Sequence, residues 1–138
     1  MFEFSHRVQF YETDLMGIVH HSNYLRLFEE ARVAWGVQAG LLEWSKPETA
    51  SAFAVLSTQV RHLKPSRFGD VLKIQVQARL SGVRIEFAYK MWNDQELISE
   101  ARTEHVHLGP DLKVLRPSAK MKQQMEKEQW NETWLSNL

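Results

Sequence analysis

The chain has no cysteine, which excludes disulfides, thiolate nucleophiles and thiolate metal sites. Neither charge is in excess: 17 basic residues balance 17 acidic ones. The bulk field that draws nucleic acid or an anionic membrane surface is therefore missing, and no nucleic-acid partner is expected. No apolar stretch approaches the ~20 residues that a membrane span needs. The N-terminus lacks the basic-then-apolar order of a secretory signal, so a cytoplasmic location without membrane insertion is expected. Internal repeats and low-complexity tracts are absent as well. A chain of 138 residues has room for one sizeable core but not for two.

What is present is mostly strand. Phe2, Phe4, His6, Val8 and Phe10 alternate with polar residues. So do Leu72, Ile74, Val76, Ala78 and Leu80, and then Val83, Ile85, Phe87, Tyr89 and Met91. This period of two describes antiparallel strands with one covered face. Ser81-Gly82 and Asn93-Asp94-Gln95 are turn signals between runs. Strands over 51–63 and 96–108 complete the set. The first of these opens on an apolar run, Ala52 to Leu56, and is expected to be central.

One segment has the other period. Tyr24, Leu27, Phe28, Ala31, Ala34 and Trp35 recur at offsets of three and four, which is one face of a helix. Arg26, Glu29, Glu30 and Arg32 point largely elsewhere. Ser22 and Asn23 are candidate N-caps, and Gly40 is the expected stop. The order is strand, helix, four strands: an α+β domain in which one long helix is wrapped by a five-stranded antiparallel sheet. This domain is expected over residues 1–117. Residues 118–138 are expected to form a helical tail, with Met121, Met125, Trp130 and Trp134 as apolar points, packed on the domain or on a neighbouring subunit.

The junction before the helix, Thr13 to Arg32, carries the chemistry. Asp14 precedes a turn at Gly17, and the turn runs into a helix start with unpaired N–H groups and partial positive charge. Such a place favours an oxyanion, as forms when a thioester or ester carbonyl is attacked. The residues alone leave Asp14 as either an ordinary turn aspartate or a reacting one. The histidines show no metal-ligand spacing, and no HExxH pattern occurs. There is no GxSxG elbow, and Gly17 and Gly82 form no phosphate-binding motif. Neither metal nor cofactor is expected.

This segment resembles the acyl-CoA thioesterases of the hot-dog fold, in the branch related to 4-hydroxybenzoyl-CoA thioesterase and the thioesterase of the Tol–Pal cluster. The matching residues are Thr13-Asp14, Gly17-Ile18-Val19, His21, Asn23-Tyr24, Phe28-Glu29 and Ala31-Arg32. VRHLKPSRFGD, Val60 to Asp70, resembles the family's next marked segment. The resemblance implies hydrolysis of an acyl-CoA to free acid and CoA, without cofactor. It implies Asp14 as nucleophile or general base, and the backbone N–H at His21 as the donor that polarises the carbonyl. Gly17, Ile18, Val19 and Tyr24 would lie against the substrate. The imidazole of His21 would orient Asp14 or water, or only pack. The substrate would be carried on CoA or on an acyl-carrier protein, and the enzyme would be a homodimer or homotetramer. Lys64 with Arg67, and Arg79 with Arg84, are two exposed pairs suited to the phosphates of CoA. Hydration of an acyl thioester and non-catalytic acyl binding are the competing functions.

Overall fold

The computed structural model describes the backbone of residues 1–138 and every side chain except those of residues 50–52. The elements are β1 (Phe2–Arg7), α1 (Ser22–Gln38), β2 (Ala54–His62), β3 (Val71–Ser81), β4 (Arg84–Asn93), β5 (Glu96–Leu108), the short β6 (Val114–Leu115) and α2 (Ala119–Lys127). Their antiparallel sheet runs β1-β3-β4-β5-β2, with β6 added against β5.

The alternating runs fold as alternation dictates. Ile74 faces Met91, Val76 faces Tyr89 and Ala78 faces Phe87 across β3 and β4. All of these are buried, and α1 lays its stripe over them. The Phe28 ring sits 5.0 Å from that of Tyr89, and Trp35 sits 5.1 Å edge-on from Phe87. Fully burying one large apolar side chain is worth about 1.5–3 kcal/mol, so this single stripe holds helix to sheet. Gly40 ends the helix in the left-handed region at φ +74°. Its N–H bonds to Val37 O and the N–H of Leu41 to Gly36 O, the two bonds that close a helix on a C-terminal glycine.

Four expectations change. First, β2 is an edge strand, not a central one. The apolar run never enters the sheet as a unit. Phe53 belongs to a 3₁₀ stretch, Pro47–Phe53, and packs on Phe87. A bulge at Leu56 breaks the alternation, leaving Val55 and Leu56 half exposed; Ala52 lies outside the described side chains. Second, neither Ser22 nor Asn23 caps α1. The cap position is His21, without a side-chain cap bond, because the Asn23 amide is engaged by the preceding hairpin. Third, Arg32 points inward. It is buried, and Nη1 donates to the Tyr89 hydroxyl at 3.1 Å. Fourth, Phe10 leaves the first strand for a 3₁₀ turn and is 77% exposed.

The chain after α2 crosses the outer face of the sheet. Met121 and Met125 sit in the core. Beyond them, Trp130 lies under the Arg79 and Arg102 guanidinium groups. Glu132 pairs with Arg79 and Arg102, and Trp134 meets Lys90. The N–H of Asn137 donates to Glu100 at 2.8 Å, and Arg61 Nε donates to the carbonyl of Asn137 at 3.3 Å. The strap thus touches β3, β4, β5 and β2 in turn.

Candidate active site

Residues 12–20 form a tight hairpin. His20 N–H bonds to Glu12 O (2.9 Å), Thr13 pairs with Val19, and Asp14 N–H bonds to Ile18 O (2.9 Å). Gly17 N–H returns to Asp14 O at 2.9 Å, with Gly17 at φ +76°, a conformation that costs a residue with a side chain. Asp14 Oδ1 accepts from Met16 N–H at 2.8 Å. Its other oxygen has no hydrogen-bond partner among the described residues, and the side chain is half-buried. The returning arm of the hairpin is held from the other side: Val19 N–H donates to Ser66 O (2.8 Å), and Ile18 pairs with Arg67. Segments 12–20 and 63–67 are therefore one unit.

The unit delivers the chain to the start of α1. His21 is exposed, and its backbone N–H has no hydrogen-bond partner among the described residues. Ser22 N–H reaches only His20 Nδ1, at 3.2 Å. The helix therefore opens with at least one free donor and its positive end outward. The Tyr24 hydroxyl lies 2.9 Å from Ser66 Oγ, and burial raises its pKa above the ordinary value despite that bond. His62, on β2, stands edge-on to Tyr24 at 4.8 Å. Burial lowers its pKa, and the nearby His21 lowers it further. Phe10, Tyr11, Leu15, Met16 and Phe68 are all largely exposed around this hairpin.

Asp14, Gly17, Ile18, Val19, His21, Tyr24, Lys64 and Arg67 thus gather at one end of the sheet. Lys64 and Arg67 are exposed and form no ion pair among the described residues. Arg79 and Arg84 lie elsewhere. β3 carries the chain from Val71 to Ser81, roughly 33 Å at strand rise, so this pair sits toward the opposite end. Nor are they free cations: Arg79 is clamped by Glu86 and Glu132, and Arg84 bonds Glu104 at 2.7 Å. Among the described residues, no group of three or more His, Cys, Asp or Glu could hold a metal ion.

Sequence reasoning passed over His62, Ser66 and Glu12. His62 was legible in principle, since Thr58, Val60 and His62 share the face of β2 that looks toward the helix. Ser66 and Glu12 had no periodic signal. A buried chain of polar groups on the inner face was also missed. It runs from Arg32 to Tyr89, Thr103 and His105, with Tyr89 Oη and His105 Nε2 each 2.8 Å from Thr103 Oγ1. Burial, and next the Arg32 charge, depress His105 to about 4.

A long helix laid against one face of an antiparallel sheet is the architecture of the hot-dog fold. This chain belongs to the Thioesterase-like superfamily, whose family model matches residues 8–126. A putative esterase of Aquifex aeolicus is 34% identical over 105 residues, covering 75% of this chain and 82% of the relative. An acyl-CoA thioester hydrolase, YbgC, of Escherichia coli is 27% identical over 112 residues, covering 80% and 84%. The solved 4-hydroxybenzoyl-CoA thioesterase of a Pseudomonas strain superposes with a TM-score of 0.75 over 86% of this chain and 94% of that one. At 17% identity it speaks for the fold alone.

Proposed function

We propose that this chain hydrolyses the thioester of an acyl-CoA, or of the same acyl group on a carrier protein, to the free acid and thiol. The observation that carries the reading is that, among the described residues, one Asp14 oxygen and the His21 N–H both lack a partner, at the turn and at the exit of one hydrogen-bonded hairpin. The substrate carbonyl would sit over the helix start. Attack makes its oxygen an anion, and a fixed N–H donor stabilises that charge more than it stabilises the ground state. Asp14 either attacks the carbonyl, giving a mixed anhydride that water then opens, or takes a proton from the attacking water. The leaving thiol resembles cysteine, with a pKa near ~8.5, and departs without a strong general acid. Gly17, Ile18, Val19 and Tyr24 would shape the site around the carbonyl. Lys64 and Arg67 would meet the phosphates; Arg79 and Arg84, already paired with carboxylates, are the second pair. The reading includes action in the cytoplasm; no helix among the described residues is long and apolar enough to cross a membrane.

The test is a panel of acyl-CoA substrates with detection of free thiol. Wild type should release thiol. Asp14→Asn should lose at least ~10²-fold in kcat, the scale of a positioned reacting group. His21→Phe should keep substantial activity if the backbone N–H, not the imidazole, holds the oxyanion. Enoyl conversion without thiol release would favour a hydratase, and no conversion at all an acyl-binding protein.

The reading includes a homodimer or homotetramer. The free edge of β2 and the exposed apolar residues around the hairpin support it, because unpaired strand edges and contiguous apolar surface invite a partner. Sedimentation at micromolar concentration should show no monomer; an active monomer would overturn the assembly.

A further inference from the structure

The hairpin that presents Asp14 is tied to the helix by side chains that the proposed chemistry leaves idle. Glu12 is the hub. It is 8% exposed, which is rare for a carboxylate. Its Oε1 accepts from Gln9 N–H at 2.7 Å and lies 2.8 Å from His6 Nε2 on β1. Its backbone carbonyl accepts two bonds: from His20 N–H at 2.9 Å and from Asn23 Nδ2 at 2.8 Å. Asn23 is itself buried in the first turn of α1, and its Oδ1 accepts from Arg26 Nη1 at 3.3 Å. One peptide carbonyl, two residues before Asp14, is therefore bonded to the residue before His21 and to the helix just after it.

We propose that Asn23 and Glu12 are positioning residues for the thioester hydrolysis, setting the place of the Asp14 carboxylate relative to the His21 N–H. The inference rests on the reading of Asp14 as the reacting group. The two groups belong to different segments, a hairpin and a helix, and their relative place must be held by something that joins the segments. The bond from Asn23 to Glu12 does so directly, and the contacts to His6 and Gln9 anchor Glu12 from behind. A misplacement of about 1 Å costs on the order of 10²-fold in rate. The remaining rung from His20 to Glu12 keeps the hairpin formed when Asn23 is cut back, so the hairpin shifts without unfolding. Neither side chain needs to touch the substrate, so binding should be spared.

The experiment measures kcat, KM and thermal midpoint for Asn23→Ala, Glu12→Ala and Glu12→Gln, each alone and with Asp14→Asn. Asn23→Ala should lower kcat about 10-fold or more with KM within about twofold. Glu12→Ala should do the same. Glu12→Gln keeps an acceptor for Gln9 N–H and a partner for His6, and should recover most of the loss. In the Asp14→Asn background, Asn23→Ala should cost almost nothing further, because its effect travels through Asp14. A purely structural role would lower the midpoint equally in both backgrounds without this dependence. The inference is overturned if Asn23→Ala leaves kcat unchanged, or if its cost is the same with and without Asp14. Should Glu12→Ala fail to fold, Asn23→Ala decides alone. If wild type releases no thiol, or Asp14→Asn releases it normally, the functional reading fails instead, and the two failures are distinct.

Discussion

The helix start and the outer face of the sheet treat polar groups in opposite ways. At the helix start an Asp14 oxygen and the His21 N–H are without partners among the described residues. On the outer face, Glu100 is fully buried yet accepts from the N–H groups of Ser136 and Asn137 and the Ser136 hydroxyl, with Lys90 at 3.9 Å. Burying a polar group costs free energy unless it is bonded. The strap meets that demand and stabilises the fold. At the helix start no such demand arises, because His21 is exposed and Asp14 only half-buried. Bonding thus follows burial: the carboxylate enclosed by the strap is fully paired, and the groups left unpaired are at least partly open to solvent.

The largest effect should fall at Asp14, where the loss of at least ~10²-fold in kcat is to be accompanied by an unchanged thermal midpoint. A comparable fall in stability would break the contrast. Next comes pH, acting on the closed polar chain of the inner face. His105 is held near 4, against an ordinary value of 6.5. Between those values the unfolded chain takes up a proton that the folded chain refuses. Stability is therefore fully present above pH 6.5 and drains away as pH falls toward 4, by about 3 kcal/mol. Denaturant titrations across that range check it, and His105→Gln should flatten the slope. A smaller effect is due at Glu100. Replacing it with Ala should cost about 2 kcal/mol of unfolding free energy while kcat/KM stays at the wild-type level; lost activity in a folded variant would blur the contrast. Smallest is the solvated pair. Neutralising Lys64 and Arg67 together should raise KM for acyl-CoA a few-fold at low salt, spare kcat, and weaken the salt dependence. The same change at Arg79 and Arg84 should do less to KM and more to stability, since those cations already hold Glu132, Glu86 and Glu104.

Much of the fold was legible because it is written in periods. Leu72 to Leu80 alternate without a break, Ile85 to Met91 do so but for Ala88, and Tyr24, Leu27, Phe28, Ala31 and Trp35 repeat as a helix repeats. The resemblance also pointed to the hairpin and helix start, through Asp14, Gly17 and His21. The edge position of β2 was not legible, because an apolar run reads alike whether it enters the middle of a sheet or bends away at a bulge. Arg32 was assigned outward because charge usually is; its burial depends on the Tyr89 hydroxyl, 57 residues away. Residues 118–138 were read as a helical tail, but only Ala119–Lys127 is helical; beyond it the strap makes its contacts residue by residue to four strands.

By itself the sequence determined most of the element types, the apolar faces of β3 and β4 and the stripe of the long helix, since each follows from spacing along the chain. Only the tertiary structure decided that Glu12, His20 and Asn23 meet at one carbonyl, that Lys64 and Arg67 share an end with Asp14, and that Arg79 does not. The reason is that local periodicity selects which face of an element is buried. Which polar groups then face one another is set by strand order and register, and these emerge only when the faces close on a common core.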